Sequence, residues 1–438
     1  MSDDYIDSPR YREQRQRERL CVAFVQAMAD GGYETITIAR VSELSGCSQE
    51  TFHRHYEDLL DCYRDACSYS LQESRSTTVA AWLAVRGWSE RLRRSCHALL
   101  THVEEHPDAA RAVLVAALSS GPEVADHVRE TIAFHERALV MAFQLHPHGF
   151  PTSRLTPRAL TGGMRHVLHL RMREGREQQI AELADDLHEW IECHRSTAAA
   201  RLPLIAGGRV WARSAEPPKP QQSPHAESVL PIQDERLRVL DTVAQLLLQP
   251  GRDTLDGATV ARFAGISAAR FQADYGGVQI CATRVVDDFV RANDAALRTG
   301  AQQGNSWPES VRLAVVQSLA HIDANRELAM LALLRLALLP EVCSARHAAL
   351  ANGIVSVALD GAPAPLHAGR LVADALPGTV NELLTWTVSA GAFARLPALA
   401  DQIAFFLLAP YLGGERAAEE VIASADAEWL GRRFVEPE

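Results

Sequence analysis

A chain of 438 residues, 47% hydrophobic and only 6% aromatic, carries enough apolar side chains for more than one core, since single domains usually end at about 100–200 residues. Its net charge of −11, from 44 basic against 55 acidic residues, excludes a nonspecific nucleic-acid binder held by a basic surface and leaves room only for a local, salt-sensitive contact. Eight cysteines are scattered without a Cys-x-x-Cys pair, which argues against a disulfide framework and a zinc site of the usual spacing.

The first nine residues are polar and read as a disordered arm. A helix follows in which Arg10, Arg12, Arg15, Arg17 and Arg19 precede the apolar Leu20, Val22, Phe24, Val25 and Met28. The arginines read either as phosphate or minor-groove contacts or as a solvated helix face. After Gly31-Gly32-Tyr33 the run 37–56 has the pattern of two short helices meeting at a turn. Ile38, Val41 and Leu44 recur at helical spacing. Gly46 sits where the chain must turn, and Ser48 stands at an N-cap position. Phe52 and Tyr56, four apart, pin the second helix and leave Gln49, Glu50, Thr51, His53 and Arg54 facing outward. Arg and Gln are the usual partners of guanine and adenine, so Arg17, Arg40, Gln49, Glu50, Thr51, His53, Arg54 and His55 are the candidate DNA contacts of this half.

An offset of 219 residues, half the chain, lays this region on 256–275 without a gap. Gly32 falls on Gly251, Val41 on Val260, Gly46 on Gly265, Ser48 on Ser267, Phe52 on Phe271, Tyr56 on Tyr275 and Cys62 on Cys281. A repeat of so long a period is a duplicated subunit rather than a solenoid module. The second copy keeps the scaffold but thins the contacts, with Arg270 and Gln272 as its only base readers and Asp274 facing a phosphate unfavourably. Its charge is also less favourable, 17 basic against 25 acidic residues over 220–438, compared with 27 and 30 over 1–219.

The Arg-rich leading helix, the Gly-Gly-Tyr stop and the run Gly46-Cys47-Ser48-Gln49-Glu50-Thr51-Phe52-His53-Arg54-His55-Tyr56 together resemble the N-terminal domain of the TetR/AcrR family of transcriptional regulators. The resemblance covers about residues 12–67 and returns in the second half. It departs from the family at His53, where a phosphate-contacting tyrosine is usual, and at Leu59 and Val278, where a lysine is usual. The resemblance implies an all-α fold, a tandem duplication of a TetR-like unit. Each unit has a three-helix helix-turn-helix domain and a helical ligand-binding/dimerisation domain.

The expected domains are 1–69 (helix-turn-helix), 70–213 (ligand-binding/dimerisation), 214–233 (a Pro-, Ser- and Gln-rich linker), 234–288 (a degenerate helix-turn-helix) and 289–438 (second ligand-binding/dimerisation domain). In the first half helices are expected over 61–73, 82–88, 89–105, 107–118, 122–145, 157–175 and 178–200. In the second they are expected over 234–248, 285–301, 308–323, 326–339, 340–359, 370–390, 394–412 and 415–430. Trp82, Trp88, His135 and Phe143 in the first half, and Met330, Cys343, Trp386 and Phe393 in the second, are candidate linings for a small apolar effector, although aromatic residues at helical spacing also serve as plain core. His166 and His169 lie three apart on one helix face without a third ligand spaced to complete a metal site, so no metal is expected.

Neither a Gly-rich phosphate loop nor Gly-x-Ser-x-Gly occurs, and no paired carboxylates stand in a context that would shift their pKa. The chain therefore reads as a non-enzyme that uses no cofactor. The N-terminus lacks a signal-peptide pattern and the most apolar stretch, Leu328 to Leu339, is short and reads as a core helix. A cytoplasmic bacterial protein with no membrane partner is expected. Its expected partners are double-stranded operator DNA, an effector, and either an intramolecular pseudo-dimer of the two halves or a homodimer of whole chains, and its expected role is a repressor. The competing reading is a ligand-binding or protein-interaction module that inherited the scaffold and lost DNA binding in one or both halves.

Overall fold

The computed structural model describes residues 9–114, 122–202, 232–248, 255–335, 348–366, 368–369 and 371–433. Among these residues the chain is all-helical, with nineteen α-helices and no strand. The first nine are α1 (Pro9–Gly31), α2 (Ile38–Ser45), α3 (Gln49–His55), α4 (Leu59–Ala84), α5 (Trp88–Glu105), α6 (Pro107–Leu114), α7 (Pro122–Gln144), α8 (Thr156–Arg173) and α9 (Ala184–Glu192). They are followed by α10 (Ile232–Leu248), α11 (Gly257–Ala264), α12 (Ala268–Tyr275), α13 (Val278–Ala301), α14 (Trp307–Ala324) and α15 (Arg326–Met330), which runs into a π-turn over Leu331–Arg335. The last are α16 (Ala349–Leu359), α17 (Val372–Ser389), α18 (Leu396–Leu412) and α19 (Gly414–Arg433).

The offset seen in the sequence recurs in helix bounds. It carries α2 onto α11 and α5 onto α14 end for end, and the start of α4 onto the start of α13. Local chemistry accounts for these paired boundaries. Thr37 Oγ1 accepts the Arg40 N–H at 3.1 Å, and an Asp256 carboxylate oxygen accepts the Thr259 N–H at 2.7 Å, so α2 and α11 each begin at a side-chain cap. Both end on a glycine in the left-handed region, Gly46 at φ 63° and Gly265 at φ 72°, where a Cβ would be strained. Ser48 and Ser267 then cap α3 and α12 by accepting the Thr51 and Arg270 N–H groups at 3.1 and 3.2 Å. Trp88 and Trp307 open α5 and α14, and each donates its Nε1–H to a backbone carbonyl, Ala142 at 2.7 Å and Ala358 at 2.9 Å. This last pair is an equivalence that the local motifs alone do not reveal.

The chain forms two compact units. The first contains 1–151, 155–195 and 365–379. Its helix-turn-helix core is Leu20, Phe24, Met28, Val41, Phe52, Tyr56, Cys62 and Tyr63, all buried. Apolar area removed from water contributes about 25 cal/mol per Å², so burying these side chains holds α1 to α4 together at this end of the unit. In this unit the segment 365–379 packs on α8. An added Cβ on Gly378 would stand 2.6 Å from the Gly162 carbonyl oxygen, and one on Gly163 would stand 3.0 Å from the Ala375 carbonyl oxygen. Only residues without a Cβ permit two backbones so near. Thr379 Oγ1 donates to the Ala159 carbonyl at 3.1 Å, Glu189 accepts the Ala368 N–H at 3.1 Å, and the buried Arg171 guanidinium meets Asp374 at 3.0 Å.

The second unit contains 152–154, 196–364 and 380–438. Val239, Val243, Leu247, Val260, Phe271, Tyr275 and Cys281 form its helix-turn-helix core. The helix α18 is buried nearly throughout, and its Asp401 pairs with Arg312 of α14 at 2.9 Å. The stretch Phe393–Leu412 is long and apolar enough to cross a membrane, with a mean hydropathy of 1.2, but 83% of it is buried inside the fold. It is a core helix.

Several expected boundaries move. One helix, α4, runs through both the expected 61–73 segment and Trp82, ending at Ala84, because nothing between breaks helical hydrogen bonding until Val85 turns extended at φ −126°, ψ 170°. The expected 178–200 helix is instead two short 3-10 turns followed by α9, which stops at Glu192. Backbone donors past that point are taken by a distant carboxylate: Glu415 accepts the Thr197 N–H at 2.8 Å and the Ala198 N–H at 3.3 Å. Pro9 and Ile232 are the first residues of α1 and α10. The expected arm over 1–8, the linker over 214–231, the helix ends at 115–118 and 336–347, and Cys343 lie outside the described residues.

Candidate nucleic-acid interface

The candidate reading helix α3 is held from beneath and open above. Phe52 is fully buried, Tyr56 closes the helix from below, and Gln49, Glu50, His53 and Arg54 are exposed. Thr51 is half-buried, its hydroxyl 3.0 Å from Ser48 Oγ and its N–H used by the cap. The geometry thus brings Gln49, Glu50, His53 and Arg54 together on one outward face. Arg54 reaches back to Glu50 at 3.4 Å and Arg40 to Glu43 at 3.1 Å. These exposed pairs are worth about 0–1 kcal/mol, so a phosphate can displace either carboxylate.

Arg17 is different. Its Nε donates to Asp65 Oδ2 at 3.0 Å and its Nη2 to Asp65 Oδ1 at 2.7 Å, a two-pronged pair with α4. The Tyr56 hydroxyl donates to the same Asp65 Oδ2 at 2.6 Å, and Cys21 Sγ lies 3.4 Å from that hydroxyl. Burial acts to raise the Asp65 pKa, but the Tyr56 hydroxyl and the Arg17 guanidinium overcome it and hold the carboxyl below its ordinary value. Burial and the Asp65 carboxylate push the Tyr56 phenol up, and burial pushes the Cys21 thiol up to about 12. Arg19 donates to the Ser45 carbonyl at the end of α2. Two of the five leading arginines are therefore engaged within the domain, Arg17 with Asp65 and Arg19 with the Ser45 carbonyl, while the Arg17 side chain stays half-exposed. His55 is half-buried, with Nε2 3.2 Å from Gln16 Oε1. Burial and the Arg17 charge lower its pKa, so it is neutral near pH 7 and a poor phosphate partner.

The second candidate reading helix, α12, repeats the pattern with Phe271 and Tyr275 buried. Arg270, its one cation, is 3.2 Å from Glu235 and 3.2 Å from Asp274. Gln272 is exposed beside it. A guanidinium between two carboxylates presents little net charge to DNA.

Of the candidate effector residues, Trp88 and Phe143 meet at one ring, Phe150. Phe143 is buried and stacked on Phe150 with ring centres 4.3 Å apart, and Trp88 is 5.2 Å from the same ring. Trp82 lies in the last turn of α4 with Arg91 over its face at 5.9 Å, and His135 sits half-buried on α7. In the second unit Phe393 is buried under Arg326 at 5.0 Å, while Met330 and Trp386 are half-buried on α15 and α17. A cavity of about 10 Å³ is lined by Val286, Val290, Ala332, Leu333, Leu350 and Asn381; it has room for about one water and none of the candidate residues lines it. His166 and His169 are buried on α8, with His169 Nδ1 2.9 Å from the Leu114 carbonyl. Among the described residues no group of three or more His, Cys, Asp or Glu is arranged to hold a metal.

The residues that sequence reasoning missed are Gln16 and Asp65. No repeat comparison flags Asp65, because the offset carries it onto Arg284.

No family model matches this chain, and no curated protein does. Among solved structures it is similar to the fatty acid degradation regulator FadR of Bacillus halodurans, at 14% identity and TM-score 0.35, over 40% of this chain and 96% of that one. It is also similar to a TetR family transcription regulator of Marinobacter aquaeolei VT8, at 19% identity and TM-score 0.32, over 41% of this chain and 97% of that one. Likenesses this distant leave the site to be read from its own geometry.

Proposed function

We propose that this chain is a DNA-binding transcription regulator of TetR type, a repressor, in which two subunit-like halves are joined in one polypeptide. The observation that carries the reading is the pair of capped helix-turn-helix elements at an offset of 219. Each has its second helix pinned by a buried Phe, Phe52 or Phe271, and its outer face left exposed. The packing of 365–379 against α8 within one compact unit supports pairing of the halves inside a single chain. An apolar effector favours a conformation in which the reading helices no longer match successive major grooves, about 34–36 Å apart, and so lowers operator affinity by no more than its differential affinity for the two states.

Unequal reading helices on one chain predict an operator with unequal half-sites. Selection of bound genomic DNA fragments by the purified chain at moderate salt tests this. A bipartite, asymmetric motif is expected; absence of enrichment at any salt contradicts DNA reading altogether. One specific observation favours the second reading, an interaction module without DNA affinity: Arg17, Arg40, Arg54 and Arg270 each face a carboxylate. The two readings separate on the same experiment.

A further inference from the structure

The two reading helices are fastened to the body of the protein by different chemistry. In the first half the last residue held by α3, Tyr56, donates its hydroxyl to Asp65 of α4 at 2.6 Å, and Arg17 of α1 closes on the same carboxylate with two hydrogen bonds. Asp58 caps α4 by accepting the Asp61 N–H at 2.8 Å, and Asp61 accepts the Glu57 N–H at 3.3 Å. The junction between reading helix and connecting helix is therefore knitted on both sides of the turn. Hydrogen bonds to a charged group are stronger than neutral ones, and four converge on Asp65, two from Arg17 and one each from Tyr56 and Cys21.

In the second half each of these ties is gone. The counterpart of Asp65 is Arg284, which is exposed. Tyr275 donates instead to Glu235 of α10 at 3.2 Å, and Arg270 of the reading helix joins the same carboxylate at 3.2 Å. The junction is Gly276-Gly277, both at positive φ, 73° and 99°, and α13 begins without a side-chain cap. Thus α12 is fastened to its opening helix and leaves its connecting helix through two glycines.

Resting on the reading of α3 as a DNA-contacting helix, we propose that Asp65 is the positioning residue that fastens the first reading helix to connecting helix α4, and that the second reading helix has no equivalent. A displacement of a connecting helix then reaches DNA through the first reading helix alone. Regulation is one-sided although the scaffold is duplicated.

Hydrogen exchange of the full chain at pH 7, read by mass spectrometry without DNA, tests this separately from DNA binding. Asp65→Asn is expected to speed exchange over 49–56 on the order of tenfold or more while 268–275 stays unchanged, and Asp65→Glu to restore most of the protection. Transmission is tested by loosening each connecting helix at an exposed, equivalent site. Ser76→Gly is expected to speed exchange over 49–56 and to add nothing in the Asp65→Asn background. Ala295→Gly is expected to leave 268–275 at the original rate. Should Asp65→Asn fail to fold, seen as lost protection in α5, Tyr56→Phe carries the test with the same sign. The proposal is overturned if a folded Asp65→Asn or Tyr56→Phe chain keeps its protection over 49–56. It is equally overturned if Ala295→Gly loosens 268–275 as much as Ser76→Gly loosens 49–56.

Discussion

Gly378→Ala sets two effects against each other. Alanine is favoured over glycine in a helix interior by about 1 kcal/mol, so an unconstrained site would gain stability. At this position the new Cβ would stand 2.6 Å from the Gly162 carbonyl oxygen and 3.1 Å from Gly163 Cα, and would overlap His166 Cβ. The first two are backbone atoms of α8, which no rotamer change can move, so α8 and the 365–379 segment must separate. Overpacking of this kind costs about 1–3 kcal/mol. Separation also weakens the Thr379 hydrogen bond to the Ala159 carbonyl, worth about 1 kcal/mol. The sum outweighs the propensity gain and leaves a net loss of about 1–3 kcal/mol. At about 2–4 °C per kcal/mol for a unit of about 150–250 residues, melting of the first unit shifts down by several degrees. Calorimetry of the full chain, with hydrogen exchange in α8 to assign the transition, reads the change. An unchanged or raised Tm would refute the close approach and with it the packing of 365–379 on α8.

Loss of the matched caps, Ser48→Ala or Ser267→Ala, is expected to cost each helix-turn-helix about 1 kcal/mol, measured by urea unfolding; a silent cap in either half would contradict the paired geometry. On a selected DNA fragment, Arg54→Ala is expected to cost about 1–3 kcal/mol. Arg270→Ala is expected to cost clearly less, since Arg270 already sits between Glu235 and Asp274; equal losses by fluorescence anisotropy would remove the asymmetry. Burial, then the charges of His169 and Arg165, lower the His166 pKa to about 4. A folded pKa below the unfolded value of about 6.5 means that the stability is fully present above pH about 6.5 and is lost as pH falls toward 4. Denaturant midpoints at pH 7 and pH 5 should therefore differ less in His166→Asn than in the original chain, and an identical pH dependence would show that His166 is not the group responsible.

The helix-turn-helix pair was legible because its signals are local. Thr37, Gly46, Ser48, Asp256, Gly265 and Ser267 act within three or four residues of themselves, through caps and left-handed turns that each residue type favours. The offset made Phe271 and Tyr275 readable from Phe52 and Tyr56. What escaped is tertiary. The pairing of Arg17 with Asp65, 48 residues on, is not visible in the sequence, and neither is the capture of the Thr197 N–H by Glu415, 218 residues on, beyond the end of a helix expected through Ala200. The expected effector lining stayed illegible for another reason. Trp82, His135, Met330 and Trp386 have the composition of a pocket, but composition does not say whether aromatic rings face a void or one another. Phe143 faces Phe150.

The most direct test of the central claim, a single chain that supplies both halves of a DNA reader, is the mass of the complex. Sedimentation of the 48.0 kDa chain with one selected DNA fragment, over a range of protein concentrations, should give one chain per fragment at every concentration that saturates it. Two chains per fragment, with free protein dimerising over the same range, would contradict the account and assign DNA reading to the first halves of two separate chains.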